Sequence, residues 1–215
     1  MKKLMILTAL MALMALGAAA QNEPGRWTLT PRVGLNLARL TNPDIYIWGE
    51  SSLDEEMEYE NRRGLLVGAE AEYQLNRIVA LSGGLFYSGQ GARLKDNSVF
   101  HDTKVTLSYV NVPLTAKLYF APGLAFRTGL QLGFAAKRYQ EGEEDTGNGQ
   151  WESYSDDDTW YRTFDLSLPL GLQFNVGNIQ LDATYNFGLT NATKLDQVKM
   201  HNRVLQLTLG YRFEL

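Results

Sequence analysis

Apolar and polar residues alternate with a period of two along most of this chain. The last stretch is the cleanest. Leu205, Leu207, Leu209, Tyr211, Phe213 and Leu215 share one parity, and Asn202, Gln206, Thr208, Gly210, Arg212 and Glu214 share the other, with Val204 as the exception. Successive side chains on a strand point to opposite faces, so this is a strand with one greasy and one wet side. The same pattern recurs over residues 27–37, 63–74, 79–90, 110–120, 124–137, 164–176 and 179–189. Ahead of residue 110 the apolar positions Val105, Leu107 and Tyr109 sit on the opposite parity, which predicts a bulge near Tyr109 or loop-like pairing there. The count is about eight strands. Leu75-Asn76-Arg77, Ala121-Pro122-Gly123 and Gly177-Asn178 are tight turns, and the last is a two-residue hairpin signal. Longer loops fall at 41–61, 93–104, 140–159 and 191–201. No stretch outside the first twenty residues carries a helical period, and no composition break divides the strands into two domains.

Alternation alone does not say which face is the outside. A soluble barrel hides its apolar face in the interior, and a membrane barrel turns it to lipid. Most strands here have about ten residues or more, enough to cross hydrocarbon when tilted. The polar face carries Arg32, Glu70, Glu72, Lys117, Arg127, Lys137, Asp165, Asp182, Arg212 and Glu214, five of each sign, with many glycines between. Balanced charge and small residues suit a narrow, filled bore. Long loops alternate with tight turns, and aromatics (Trp27, Tyr73, Tyr87, Tyr139, Trp160, Tyr211, Phe213) fall toward strand ends, as membrane girdles require. Lipid offers no hydrogen bonds, so a spanning sheet must close on itself. The pattern therefore predicts an all-β fold: a single eight-stranded antiparallel up-and-down transmembrane β-barrel with both termini at the tight-turn end.

Composition changes this picture at the N-terminus. Lys2 and Lys3 precede an apolar run from Leu4 to Leu16, and Ala18-Ala19-Ala20 is a small-residue cleavage site. Residues 1–20 are predicted to be a cleaved signal peptide, and residues 21–215 the barrel domain. The apolar run is too short to span a bilayer as a helix. Gln21 at the expected new N-terminus, in place of a cysteine, indicates no lipid anchor there. Losing the two lysines leaves 18 basic side chains against 24 acids, net −6, which argues against a nucleic-acid partner. The chain has no cysteine, which excludes disulfides and thiolate metal sites.

Candidate chemistry is sparse. The lumen charges either line an ion path or form a salt-bridged plug. An eight-stranded barrel has a bore that side chains just fill, which favours the plug. Glu141, Glu143, Glu144 and Asp145, then Asp156, Asp157 and Asp158, lack the spaced ligands and glycine of a calcium loop and read as a solvated surface. No metal or cofactor is expected. Trp48, Trp151, Tyr154 and Trp160 lie in or beside the loops and either grip an extracellular ligand or protein, or pack and anchor the loops. Catalysis needs a nucleophile beside a base. The two histidines, His101 and His201, fall in loops, and Ser88 has no assignable base. The expectation is a non-enzymatic envelope role, with a narrow porin-like channel and a barrel hydrolase as the alternatives.

Thr208, Gly210, Phe213 and Leu215 are similar to the polar-x-Gly-x-x-aromatic-x-hydrophobic assembly signal that closes bacterial outer-membrane barrels. The chain as a whole resembles the PorT-like outer-membrane β-barrel family. The resemblance lies in residues 31–37, the Tyr109-Val110-Asn111-Val112-Pro113-Leu114 run before Lys117, residues 185–191, and Leu209-Gly210-Tyr211-Arg212-Phe213. These are motifs of barrel architecture. They imply a bacterial outer-membrane location, outer-membrane lipid as surroundings and the barrel assembly machinery as a partner. One branch of the family is associated with protein secretion, and no residue here assigns the chain to that branch.

Overall fold

A computed structural model describes residues 23–41, 46–47, 55–56, 59–95, 100–145, 151–157, 160–194 and 199–215. The expected signal peptide lies outside them. Eight long strands form the wall: β1 (Trp27–Leu40), β2 (Tyr59–Gln74), β3 (Val79–Leu94), β4 (Phe100–Ala121), β5 (Leu124–Asp145), β6 (Phe164–Val176), β7 (Ile179–Gly188) and β8 (Asn202–Tyr211). Each pairs antiparallel with the next, and β8 pairs back onto β1 with Leu35 opposite Leu207, so the sheet closes. Phe213–Glu214 continues β8 along β1. No helix occurs among the described residues.

The three tight turns form where the residues require them. Asn76 Oδ1 accepts from the backbone N–H of Ile78 and Val79, both at 2.9 Å, an Asx turn between β2 and β3. Gly177 has φ +57 while Asn178 stays at negative φ, the II′ pattern that matches strand twist in a two-residue hairpin. These turns, the start of β1 and the end of β8 share one end of the barrel. All long connections share the other.

The alternation resolves as the outward-apolar pattern. On β1, Val33 is 58 % and Leu35 57 % exposed, while Arg32, next to Val33 in the chain, is 3 % exposed. Leucines at 65, 81, 85, 114, 130, 172, 181, 207 and 209 are exposed on the same outer surface. Aromatic pairs mark its two edges. Trp27–Tyr73 and Tyr211–Phe213 (4.9 Å each) lie at the turn end, and Phe134–Phe164 (5.6 Å) and Tyr185–Phe187 (4.5 Å) lie at the loop end. Burying the outer leucines in hydrocarbon is the dominant favourable term for such a surface.

Three features depart from the sequence-based expectation. The wall is uneven. β4 and β5 have 22 residues each, and β7 and β8 have 10. At a tilt near 40° the long pair rises about 55 Å and the short pair about 25 Å, close to the apolar band itself. The second departure is the expected 140–159 loop, which is largely strand. β5 runs on to Asp145, and Trp151–Asp157 folds back on it with Glu141 opposite Ser155. This extension stands above the membrane and is acidic, with Glu144 directly opposite Glu152. The third is the bulge near Tyr109. It is there in the ladder, but the extra residue is Ala136 on β5, since Ser108 pairs with Lys137 and Tyr109 with Ala135. From Lys104 to Tyr119 β4 keeps its parity, so Val105, Leu107 and Tyr109 point into the bore with Asn111 and are buried.

Candidate functional site

The bore is stacked in three levels. The level nearest the turns holds the charges. Glu70, at the β2 end, accepts from Arg32 on β1 and Lys117 on β4, and its second oxygen lies 2.8 Å from Arg127 Nη2 on β5. Arg127 Nη1 donates to Asp182 Oδ2 on β7 at 3.0 Å, and Arg32 Nη1 is 3.7 Å from the same oxygen. Lys117 also reaches Glu72 Oε2 at 2.5 Å, Tyr119 Oη donates to Glu72 Oε1 at 2.7 Å, and Arg212 lies 4.0 Å from that oxygen. Thr184 Oγ1 donates to Asp182 at 2.6 Å. With its amide oxygen toward Arg32, Gln180 accepts from Nε and Nη2 at 3.0 and 2.8 Å. Four cations and three carboxylates thus form one network from strands on every side of the bore, all buried. Buried charges survive only when paired in this way, because an isolated one carries a large desolvation cost. The void beside them is about 20 Å³, room for about one water.

The middle level is neutral and polar. Asn36 Nδ2 donates to Ser88 Oγ (2.9 Å) and to the Gly89 carbonyl (2.8 Å), Gln90 Nε2 donates to Ser88 Oγ (2.9 Å), and Asn202 donates to Gln90. Nδ2 and Oδ1 of Asn186 and Nε2 of Gln206 are buried here without a hydrogen-bond partner among the described residues. The top level is apolar. Leu40, Ala92, Val105, Leu107 and Tyr109 of the wall pack with Tyr161, Ala192 and Met200 from the loops. Those loops are tied together across the mouth by Arg162 N–H to Ala192 O (2.8 Å), Ala192 N–H to Met200 O (2.7 Å) and Lys194 N–H to Trp160 O (2.8 Å). This cap is invisible to a search for polar chemistry. Its one signal in the sequence is the parity of Val105, Leu107 and Tyr109.

Of the ten charges on the polar face, seven meet in the network: Arg32, Glu70, Glu72, Lys117, Arg127, Asp182 and Arg212. Asp165 does not join them. It lies near the mouth and accepts from Thr190 Oγ1 at 3.2 Å. Lys137 is not in the bore at all. The Ala136 bulge turns it to the outer surface, exposed, with its ammonium 4.4 Å from the Tyr139 ring centre. Glu214, also on the polar parity, is exposed at the turn-end rim and pairs with Arg26 at 2.9 Å.

In the expected assembly signal, Thr208 and Gly210 face in and Phe213 and Leu215 face out. A Cβ at Gly210 would sit 2.9 Å from Arg32 Cγ and 2.7 Å from Thr30 Cγ2, so glycine lets the Arg32 stem pass. Among the loop aromatics, Trp160 is exposed. The backbone of Trp151 and Tyr154 lies in the extension strand, and Trp48 lies outside the described residues.

The hydrolase alternative finds no constellation among the described side chains. Ser88 accepts from two amides in place of a base. His201 Nδ1 lies 3.1 Å from the Thr190 carbonyl, which can only accept, so that nitrogen carries the proton. His101 has its backbone paired opposite Glu143 on β5.

Solved structures similar to this chain include Ail of Yersinia pestis in complex with the heparin analogue sucrose octasulfate, 21% identical, covering 88% of this chain and 99% of that one, at a TM-score of 0.47. Neisserial surface protein A is 17% identical over 87% of this chain and 97% of that one, at 0.44. OprG from Pseudomonas aeruginosa is 11% identical over 90% and 98%, at 0.42. No curated protein sequence matches. A profile of the outer membrane protein beta-barrel domain matches residues 19–194, most of the wall. With the closed eight-stranded sheet and its lipid-facing leucines, that match makes this chain a member of the outer membrane protein beta-barrel domain family, resident in the bacterial outer membrane.

Proposed function

We propose that this protein is a sealed outer-membrane anchor. Its bore does not conduct, and the β4–β5 extension with the neighbouring loops meets a partner above the membrane. The observation that carries this reading is the stacking of the bore. A seven-membered ion network, with room beside it for about one water, lies under a neutral layer and an apolar cap. An ion entering would have to displace Glu70 from three cations and then pass Leu107 and Tyr109 without its hydration. The role is non-enzymatic in this reading, supported by the two amide donors that occupy Ser88 Oγ in place of a base. Residues 31–37, 109–114, 185–191 and 209–213 carry the resemblance to PorT-like barrels, and the Thr208–Leu215 pattern supports recognition by the barrel assembly machinery.

Single-channel recording of the full barrel in planar bilayers tests the seal. The expected trace is flat at potentials where porins show steady steps. A stable open level would replace this reading with the narrow channel, for which the unpartnered Asn186 and Gln206 atoms would mark the path.

A further inference from the structure

Outward-facing cations gather at one part of the loop-end rim. Arg39 on β1 and Arg203 on β8 are direct cross-strand partners on the outer surface. Like charges directly opposite on a sheet repel. Arg63 lies on the same face, opposite Leu37, one outward position below Arg39. The Arg203 guanidinium lies 5.3 Å from the Phe187 ring centre, on the outer aromatic edge. From Trp27 to Arg39 is 12 residues along β1, about 30 Å at the barrel's tilt, so these arginines stand one hydrocarbon thickness above the opposite girdle.

Next to them the short strands leave an opening. His201, two residues before Arg203, lines a cleft of about 860 Å³ together with Arg162, Lys194 and Lys199. Its floor includes Phe164 and Leu189, both exposed, and no acidic residue lines it among the described residues. The two lysines are exposed, and Arg162 is steadied by its Nε bond to the Thr193 carbonyl at 2.9 Å.

We propose that this rim binds the phosphate groups of a phosphorylated lipid of the outer leaflet, with the acyl chains lying along Leu189, Phe164 and the outer face of β8 and β1. Phosphate oxygens between Arg39 and Arg203 turn a repulsive pair into charge-assisted hydrogen bonds. Two features favour a lipid over a soluble polyanion. The cations sit at headgroup height, and the apolar floor runs on into the lipid-facing band. The surface that a soluble polyanion would meet first, the β4–β5 extension, carries Glu141, Glu143 and Glu152 and repels it.

The test is binding of the detergent-purified barrel to bisphosphorylated lipid A, to the same lipid with its phosphates removed, and to inorganic phosphate, read by native mass spectrometry. The phosphorylated lipid is expected to bind at least about tenfold tighter than the dephosphorylated one, the equivalent of one lost charge-assisted contact. Inorganic phosphate at the same concentration should not compete. The combined R39Q/R203Q/K194Q/K199Q variant should lose the preference while keeping the heat-modifiable gel shift of a folded barrel. R77Q, at the opposite rim, should keep the preference. Equal affinity for the two lipids, an undiminished preference in the folded quadruple variant, or full competition by inorganic phosphate would each overturn the proposal.

Discussion

Replacing Glu70 with alanine is expected to destabilise the barrel by about 3–5 kcal/mol, the cost of breaking a buried ion network by removing one partner. Glu70 is 1 % exposed and accepts from Arg32, Lys117 and Arg127. Without it those cations share only Asp182 and Glu72, in a bore with too little water to solvate the excess. Urea titration in micelles, followed by tryptophan fluorescence, measures the loss. Glu70→Gln keeps the shape and one acceptor oxygen, so its loss is expected to be smaller. Lys117→Met in the Glu70→Ala background should recover part of the loss, because it removes a charge that has become surplus, and the two effects would then fail to add. A Glu70→Ala cost within about 0.5 kcal/mol, the range of a surface substitution, would mean that these charges are hydrated and that the bore is wet.

The second large effect is on the opposite face. Leu209 is half exposed, pairs with Val33, and stands midway between the Trp27 edge and Arg39. Leu209→Arg is expected to cost about 2–4 kcal/mol in bilayers, as charges do on the lipid face of a barrel at the midplane. The same change at Leu29, paired with Phe213 beside the turn-end girdle, should cost about 0–1 kcal/mol. The difference between the two positions carries the information, since both leucines are exposed to a similar degree and differ mainly in depth. Equal costs would mean that the outer face does not meet a hydrocarbon gradient.

Both substitutions sit on features that the sequence states clearly. A period of two needs only local residues, so the strands, the Gly177-Asn178 hairpin and the division into lipid and lumen faces were legible. Apart from Glu214 at the rim, parity alone puts eight of the nine polar-face charges on the inner side. It does not give their partners, because Glu70 meets Arg127 and Arg32 only once register and closure bring β5 and β1 to β2. Parity misled at Lys137, where one extra residue, Ala136, reverses the faces of the residues after it. At Val105, Leu107 and Tyr109 the reversed parity marks residues that turn into the bore as an apolar cluster, with the extra residue on the partner strand. The extension strand over residues 151–157 was hidden for another reason. Trp151-Glu152-Ser153-Tyr154-Ser155-Asp156-Asp157 has no alternation and little β-propensity, so its pairing to β5 is tertiary in origin. The arginine pair at the rim is likewise a product of register, since residues 39 and 203 are far apart in sequence and become neighbours only when β1 and β8 close the sheet.

Thiol accessibility tests the sealed bore most directly, because the chain has no cysteine and any introduced one is unique. Gln206 faces in with an unpartnered amide nitrogen, and its neighbour Leu207 faces out, half exposed. In lipid vesicles, Leu207→Cys should react with a lipid-soluble maleimide and resist a charged methanethiosulfonate. Gln206→Cys should resist both. Rapid modification of the folded Gln206→Cys barrel by the charged reagent would show an open aqueous path through the bore and contradict the account.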